Sequence, residues 1–234
     1  MQFDLGCVFP AHFPQFAKDE RGLALNLEKV LNTGLFKAIE LGAIRDLSER
    51  NKVKNLLKDT DTKCVFLGGG AIISEGLNLS SLDEGARAHA VARLTGLMED
   101  AEDLDAVLFL ISSGPDPGEP LREQALAQLG KSVSELCGHA RKMASARSRQ
   151  PMIVTLEHYD RHIHRRFLLG PSAVTADFAR TMRADNPNFG ITLDQSHLGQ
   201  LGEAPADALD ALGDTVTHVH LANCLISDEH SPLY

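Results

Sequence analysis

A chain of 234 residues with a formal charge of -9 can bury one sizeable core, is short for two independent domains, and lacks the basic balance of a generic phosphate-backbone binder. With 43% hydrophobic and 24% charged residues it has ordinary globular composition. Cys7, Cys64, Cys137 and Cys224 are widely spaced, the start has no basic leader region, and no apolar run reaches membrane-spanning length. These features together predict a reduced, cytoplasmic protein with neither membrane nor nucleic acid as partner.

Along the chain, strand and helix patterns alternate. Phe3 to Phe9 reads as a short strand closed by Pro10 and Pro14, and Leu23, Leu27, Val30 and Leu31 fall at helical spacing before Gly34. A second strand is expected over 36–44. Asp46 or Ser48 then caps a helix carrying Val53, Leu56 and Leu57. Cys64 to Leu67 is a third strand. The glycines that follow, Gly68 to Gly70, lack the Lys-Ser/Thr of a P-loop and read as a turn that lets substrate approach the backbone. A helix over 83–103 leads to the apolar strand Ala106–Ile111. A long helical stretch over 119–147 comes next, with Gly130 as the point where it would break.

Three further strands carry polar groups in phase. Pro151 to Glu157 places Ile153, Thr155 and Glu157 on one face. Asn188 to Asp194 sets Phe189, Ile191 and Leu193 against Gly190, Thr192 and Asp194, and His197 follows three residues on. Thr217 to Asn223 places His218 and His220 together. Helices are expected near 172–183 and 205–212. Three successive strands thus each end in a metal-capable side chain, at the end where parallel barrels build active sites. His218, one layer deeper, reads as a hydrogen-bonded core histidine. Glu40, on the second strand, reads as a substrate contact or as one half of a structural ion pair. The loop His158-Tyr-Asp-Arg-His-Ile-His-Arg-Arg166 could bring Arg161, His164 or Arg165 over the mouth, against a phosphate or sugar hydroxyls.

Glu157, Asp194 with His197, and His220 in His-Val-His-Leu-Ala-Asn resemble the xylose isomerase-like TIM-barrel superfamily of sugar isomerases, epimerases and apurinic endonucleases. The resemblance implies a single α/β domain over 1–234 with the (β/α)8-type barrel fold. It also implies one divalent metal ion held by Glu157, Asp194 and His220, with manganese favoured over magnesium, cobalt or zinc. His197 would contact substrate, and a homodimer is an expectation from the family. The eighth strand and its glutamate are absent from the 234-residue chain, and a continuation bearing that glutamate is expected. A metal so held suits proton abstraction next to a carbonyl through an enediolate, hence sugar or sugar phosphate isomerisation or epimerisation, with Glu157 and His197 catalytic. Glu40, Arg161 and His164 are the further substrate-binding candidates. A lyase or dehydratase on the same site is one alternative. An apurinic endonuclease-like zinc hydrolase is another, with Asp228 and His230 as its added pair.

Overall fold

The computed structural model describes residues 4–224, so Asp228 and His230 lie outside the described residues. In chain order the elements are β1 (Gly6–Val8), α1 (Phe9–His12), a 3-10 turn, α2 (Leu23–Leu31), β2 (Ala38–Leu41), α3 (Leu47–Asp59), β3 (Lys63–Leu67), α4 (Gly69–Glu75), α5 (Glu84–Asp103) and β4 (Leu108–Ser112). They continue with α6 (Arg122–Ala146), β5 (Ile153–Glu157), α7 (Ser172–Asp185), β6 (Phe189–Asp194), α8 (Gln195–Leu201), α9 (Pro205–Leu212), a second 3-10 turn and β7 (Val216–His220). Every neighbouring strand pair is parallel, in the order β1 to β7. Sequential order with a helical crossover at each step is the (β/α) barrel pattern, with seven strands among the described residues. Among the described residues no helix is long and apolar enough to cross a membrane.

The sheet curls until side chains of β2 and β7 touch: His220 Nε2 lies 3.0 Å from Glu40 Oε2. Its two faces differ in chemistry. Outward side chains such as Ile39, Phe66, Phe109, Val154 and Ile191 pack under the helices in one continuous apolar cluster. Inside the curve, Val65, Leu108 and Leu110 form a small apolar patch against β3 and β4. On the β5–β7 side the interior is polar. Thr155 Oγ1 lies 2.8 Å from Thr192 Oγ1 and 3.2 Å from Thr217 Oγ1, a hydroxyl floor that satisfies its own hydrogen bonds.

Local chemistry accounts for most element ends. Asp46 caps α3 by accepting from the Ser48 and Glu49 amides, an interaction worth about 1 kcal/mol. Two expectations are corrected. The 122–146 helix runs unbroken for 25 residues through Gly130, whose glycine faces the Met182 sulfur on α7. Gly69 and Gly70 open α4 instead of forming a substrate-facing turn. A Cβ on Gly68 would sit 2.4 Å from Phe109 Cζ, so that glycine serves packing against β4.

Gly190 has a similar role at the bulge where β6 and β7 shift register. A Cβ there would lie 2.3 Å from both Cγ2 and Oγ1 of Thr217, a branched side chain with little freedom to yield. Gly190→Ala should cost about 1–3 kcal/mol by overpacking and lower Tm by roughly 2–12 °C. Gly70→Ala, which meets no atom within 4 Å, should leave Tm unchanged or raise it. Thermal unfolding of the pair checks this, and equal Tm values would refute the packing argument.

Candidate metal centre

The last residues of β5, β6 and β7 are Glu157, Asp194 and His220. Period-two alternation in strands covered on their outer face leaves these side chains one direction, into the curve. One ligand atom from each lies within 4.8 Å of the others.

Each carboxylate has one oxygen tied down and one aimed at the cluster. Asp194 caps α8: its Oδ1 accepts from the Ser196 amide and hydroxyl, both at 2.7 Å. Its Oδ2 lies 3.6 Å from His220 Nδ1 and 3.8 Å from His197 Nε2. Glu157 Oε2 accepts from the Tyr159 hydroxyl at 2.5 Å, while Oε1 lies 3.2 Å from His220 Nδ1 and 3.8 Å from His197 Nε2. Two carboxylate oxygens and one imidazole nitrogen converge in a buried space, and no lysine or arginine pairs with these carboxylates among the described residues. That mixed hard and borderline donor set fits a divalent ion such as manganese, magnesium, cobalt or zinc.

Behind His220 stands Glu40. Its carboxylate lies 3.0 Å from His220 Nε2 and 3.2 Å from His218 Nε2, and His218 Nδ1 is in turn 3.3 Å from Thr192 Oγ1. In the structure Glu40 contacts both histidines and stands on the Nε2 side of His220, away from Glu157 and Asp194 on its Nδ1 side. Glu40, His218 and His220 form a second triad of ligand-capable groups.

Electrostatics follow burial and pairing. Burial pushes the Glu40 carboxyl up, but hydrogen bonds from His218 and His220 outweigh it and hold it at about 2. Asp194 is likewise raised by burial and brought down to about 2 by His220, His197 and Ser196. Burial works against a charged His220, yet Asp194, Glu157 and Glu40 together push it to about 12. Burial and the neighbouring Glu157 hold the Tyr159 hydroxyl well above its ordinary value, so it remains a donor. The Glu40 and Asp194 carboxylates stay ionised and His220 carries the balancing charge, the electrostatic setting of a ligand-capable cluster.

His197 sits at the first turn of α8, stacked obliquely on Tyr159 with ring centroids 4.3 Å apart. Its Nδ1 lies 3.2 Å from Gln200 Oε1, one turn along the same face. This contact assigns the proton to Nδ1 and turns Nε2 toward the cluster. Tyr159, Ser196 and Gln200 were not singled out from the sequence. The signals were there in Glu-x-Tyr, which returns the ring to the same face, and in the i, i+3 spacing of His197 and Gln200.

The loop after β5 folds back on Asp160. This buried carboxylate accepts from the backbone amides of Ile163 and His164 at 2.7 Å and of Arg165 at 2.8 Å. Arg161 donates to the Leu168 carbonyl at 2.8 Å, within the loop, and is not brought to the cluster. His164 lines a neighbouring cavity with Arg165. Burial would raise the Asp160 carboxyl, but its backbone donors hold it below the ordinary 3.8. A carboxyl lowered in the folded state stabilises the fold above its unfolded pKa, and that stability is lost as pH falls through the folded value. Asp160→Asn should cost about 2–4 kcal/mol at neutral pH. The gap from wild type in urea midpoint should narrow as the medium is acidified below the ordinary carboxylate range. A gap independent of pH would rule out the charged-acceptor role.

Curated protein sequences return no match. Among solved structures, a D-tagatose 3-epimerase-like protein is 20% identical with TM-score 0.66, over 83% of this chain and 70% of that one. D-psicose 3-epimerase in the presence of D-fructose is 21% identical with TM-score 0.68, over 84% and 66%. The IOLI protein with a binding zinc atom is 16% identical with TM-score 0.63, over 86% and 67%. The chain thus spans about two thirds of the length of each relative, and identities this low establish a shared fold. A family model described as xylose isomerase-like TIM barrel matches residues 27–233, and with most of the chain so covered, this protein belongs to that family.

Proposed function

We propose that the chain is a divalent-metal-dependent isomerase or epimerase of sugars or sugar phosphates, acting by proton abstraction next to a carbonyl through an enediolate. One observation carries the reading. Glu157 Oε1, Asp194 Oδ2 and His220 Nδ1 converge at three successive strand ends, with His197 Nε2 3.8 Å from both carboxylates. The likeness to D-tagatose and D-psicose 3-epimerase structures supports the substrate class. Manganese is the ion we propose, and Glu157, Asp194 and His220 would hold it.

When bound there, a divalent ion would act as a Lewis acid on the substrate's carbonyl and ease the build-up of negative charge. Glu157 is the base: Tyr159 anchors its Oε2, and the same carboxylate would both help hold the ion through Oε1 and take the proton from carbon. The anchor fixes the carboxylate plane, and the buried setting excludes bulk water. His197, its Nδ1 held by Gln200, presents Nε2 to a substrate oxygen. Glu40 holds His220 in orientation through Nε2. Dehydration would begin with the same abstraction, so product analysis separates a lyase from an isomerase.

The test is solvent-deuterium incorporation at the carbon beside the carbonyl, over a panel of ketoses and ketose phosphates. Metal-loaded protein should exchange at least one of them, and a chelator should abolish it. His197→Ala should keep its metal while turnover falls by about 10²–10⁴. No exchange above background across the panel would sink the reading. Loss of metal in His197→Ala would make that histidine a ligand.

A further inference from the structure

Beside the candidate metal centre lies a cavity of about 310 Å³, bounded by Ile72 and Ile73 of α4, by Leu77, and by His164, Arg165 and Phe167 of the loop after β5. We propose that it is an anion subsite, in which Arg165 binds the phosphate or carboxylate of an acidic sugar whose carbonyl end lies at Glu157, Asp194 and His220. For the rest of the ligand this rests on the sugar isomerase reading.

Arg165 is the first reason. Its Nε is buried without a hydrogen-bond partner, and no carboxylate lies within ion-pair distance of its guanidinium among the described residues. Arg122, Arg149 and Arg87 each pair with two carboxylates, while Arg161 in the same loop shares the orphaned Nε but donates to the Leu168 carbonyl. A half-buried guanidinium has lost part of its hydration, and an anion in the cavity would pair with its charge. The Asp160 carboxylate holds the Arg165 backbone through its amide, so the side chain starts from a fixed point.

Continuity with the metal centre is the second. Phe167, a wall of the cavity, meets Tyr159 edge to face at 5.2 Å. Tyr159 in turn bonds Glu157 and stacks on His197. Two aromatic rings in contact, Phe167 and Tyr159, therefore connect the wall of the cavity to the metal centre. The third reason is the apolar share of the lining, which beside Arg165 otherwise consists of Gly76, Pro115 and His164. Isoleucine, leucine and phenylalanine offer sugar hydroxyls no hydrogen bonds, but their low polarity strengthens a charge pair formed at Arg165.

The test uses metal-loaded wild type, Arg165→Met and Arg165→Lys, titrated calorimetrically with D-fructose, D-fructose 6-phosphate and 5-keto-D-gluconate. One of the two anions should bind at least about tenfold more tightly than D-fructose. Arg165→Met should remove about ten- to a hundredfold of that affinity and leave D-fructose unaffected, with Arg165→Lys in between. Which anion shows the loss decides between phosphate and carboxylate. Anions binding no tighter than D-fructose, or three ligands weakened alike, would overturn the subsite. Arg165-dependent anion binding without deuterium exchange of any ligand would support the subsite and count against the isomerase reading alone.

Discussion

Asp194→Ala is expected to take the metal content of the purified protein from about one divalent ion per chain to near zero, an affinity loss on the order of a thousandfold. Asp194 gives the cluster one oxygen, Oδ2, while Oδ1 is engaged by Ser196. Three protein groups would hold the ion, and Asp194 is one of its two carboxylates. Deleting one therefore removes a negatively charged ligand and leaves Glu157 and His220, an attractive pair 3.2 Å apart, to close on each other. Ser196→Ala separates the two oxygens' duties. It should weaken the α8 cap by about 1 kcal/mol yet keep the metal. Elemental analysis after gel filtration checks both variants, and an undiminished metal content in Asp194→Ala would rule out the centre as drawn.

Glu40→Ala should be nearly as damaging although, on our reading, its carboxylate does not reach the ion. It would leave two part-buried imidazoles without the group that accepts from them. Breaking a buried charged contact from one side costs about 3–5 kcal/mol, and loss of a carboxylate behind a ligating histidine typically lowers metal affinity about 10–100-fold. Glu40→Gln keeps the shape and one acceptor, so it should recover most of the stability and little of the affinity. Denaturant titration and metal titration on the same samples would divide the two effects. If Glu40→Ala bound metal as tightly as wild type, its role would lie with substrate.

Much of the centre was legible in the sequence, because strand geometry leaves little freedom. In strands packed on their outer face by residues such as Val154, Ile191 and Leu193, Thr155, Glu157, Thr192 and Asp194 had only the interior left. Strand order then places Glu157, Asp194 and His220 side by side. What escaped depends on contacts between distant segments. The Gly68–Gly70 run gave no sign that Phe109 would press against it. Gly130 looked like a break in α6, whereas apolar packing of Leu129 and Val133 overrides its weak propensity. Helix α8 was missed because its capping carboxylate had already been assigned to the metal, and Asp194 serves both. Arg161 illustrates a limit of charge counting: a basic residue in a loop is as readily used to hold the loop's own carbonyl, here that of Leu168.

The contact between Glu40 and His220 joins residues 180 positions apart. Chain closure over such a distance comes late in folding, since its entropy must be overcome before the contact gives anything back. The intervening strands pair with sequence neighbours and can assemble stepwise, but the histidine on β7 finds its carboxylate on β2 only once the whole sheet has curled. Ligand geometry is in this sense a readout of completed folding. A chain arrested with β1 to β6 in place would carry Glu157 and Asp194 and still lack the imidazole between them, so partly folded molecules would be poor scavengers of metal.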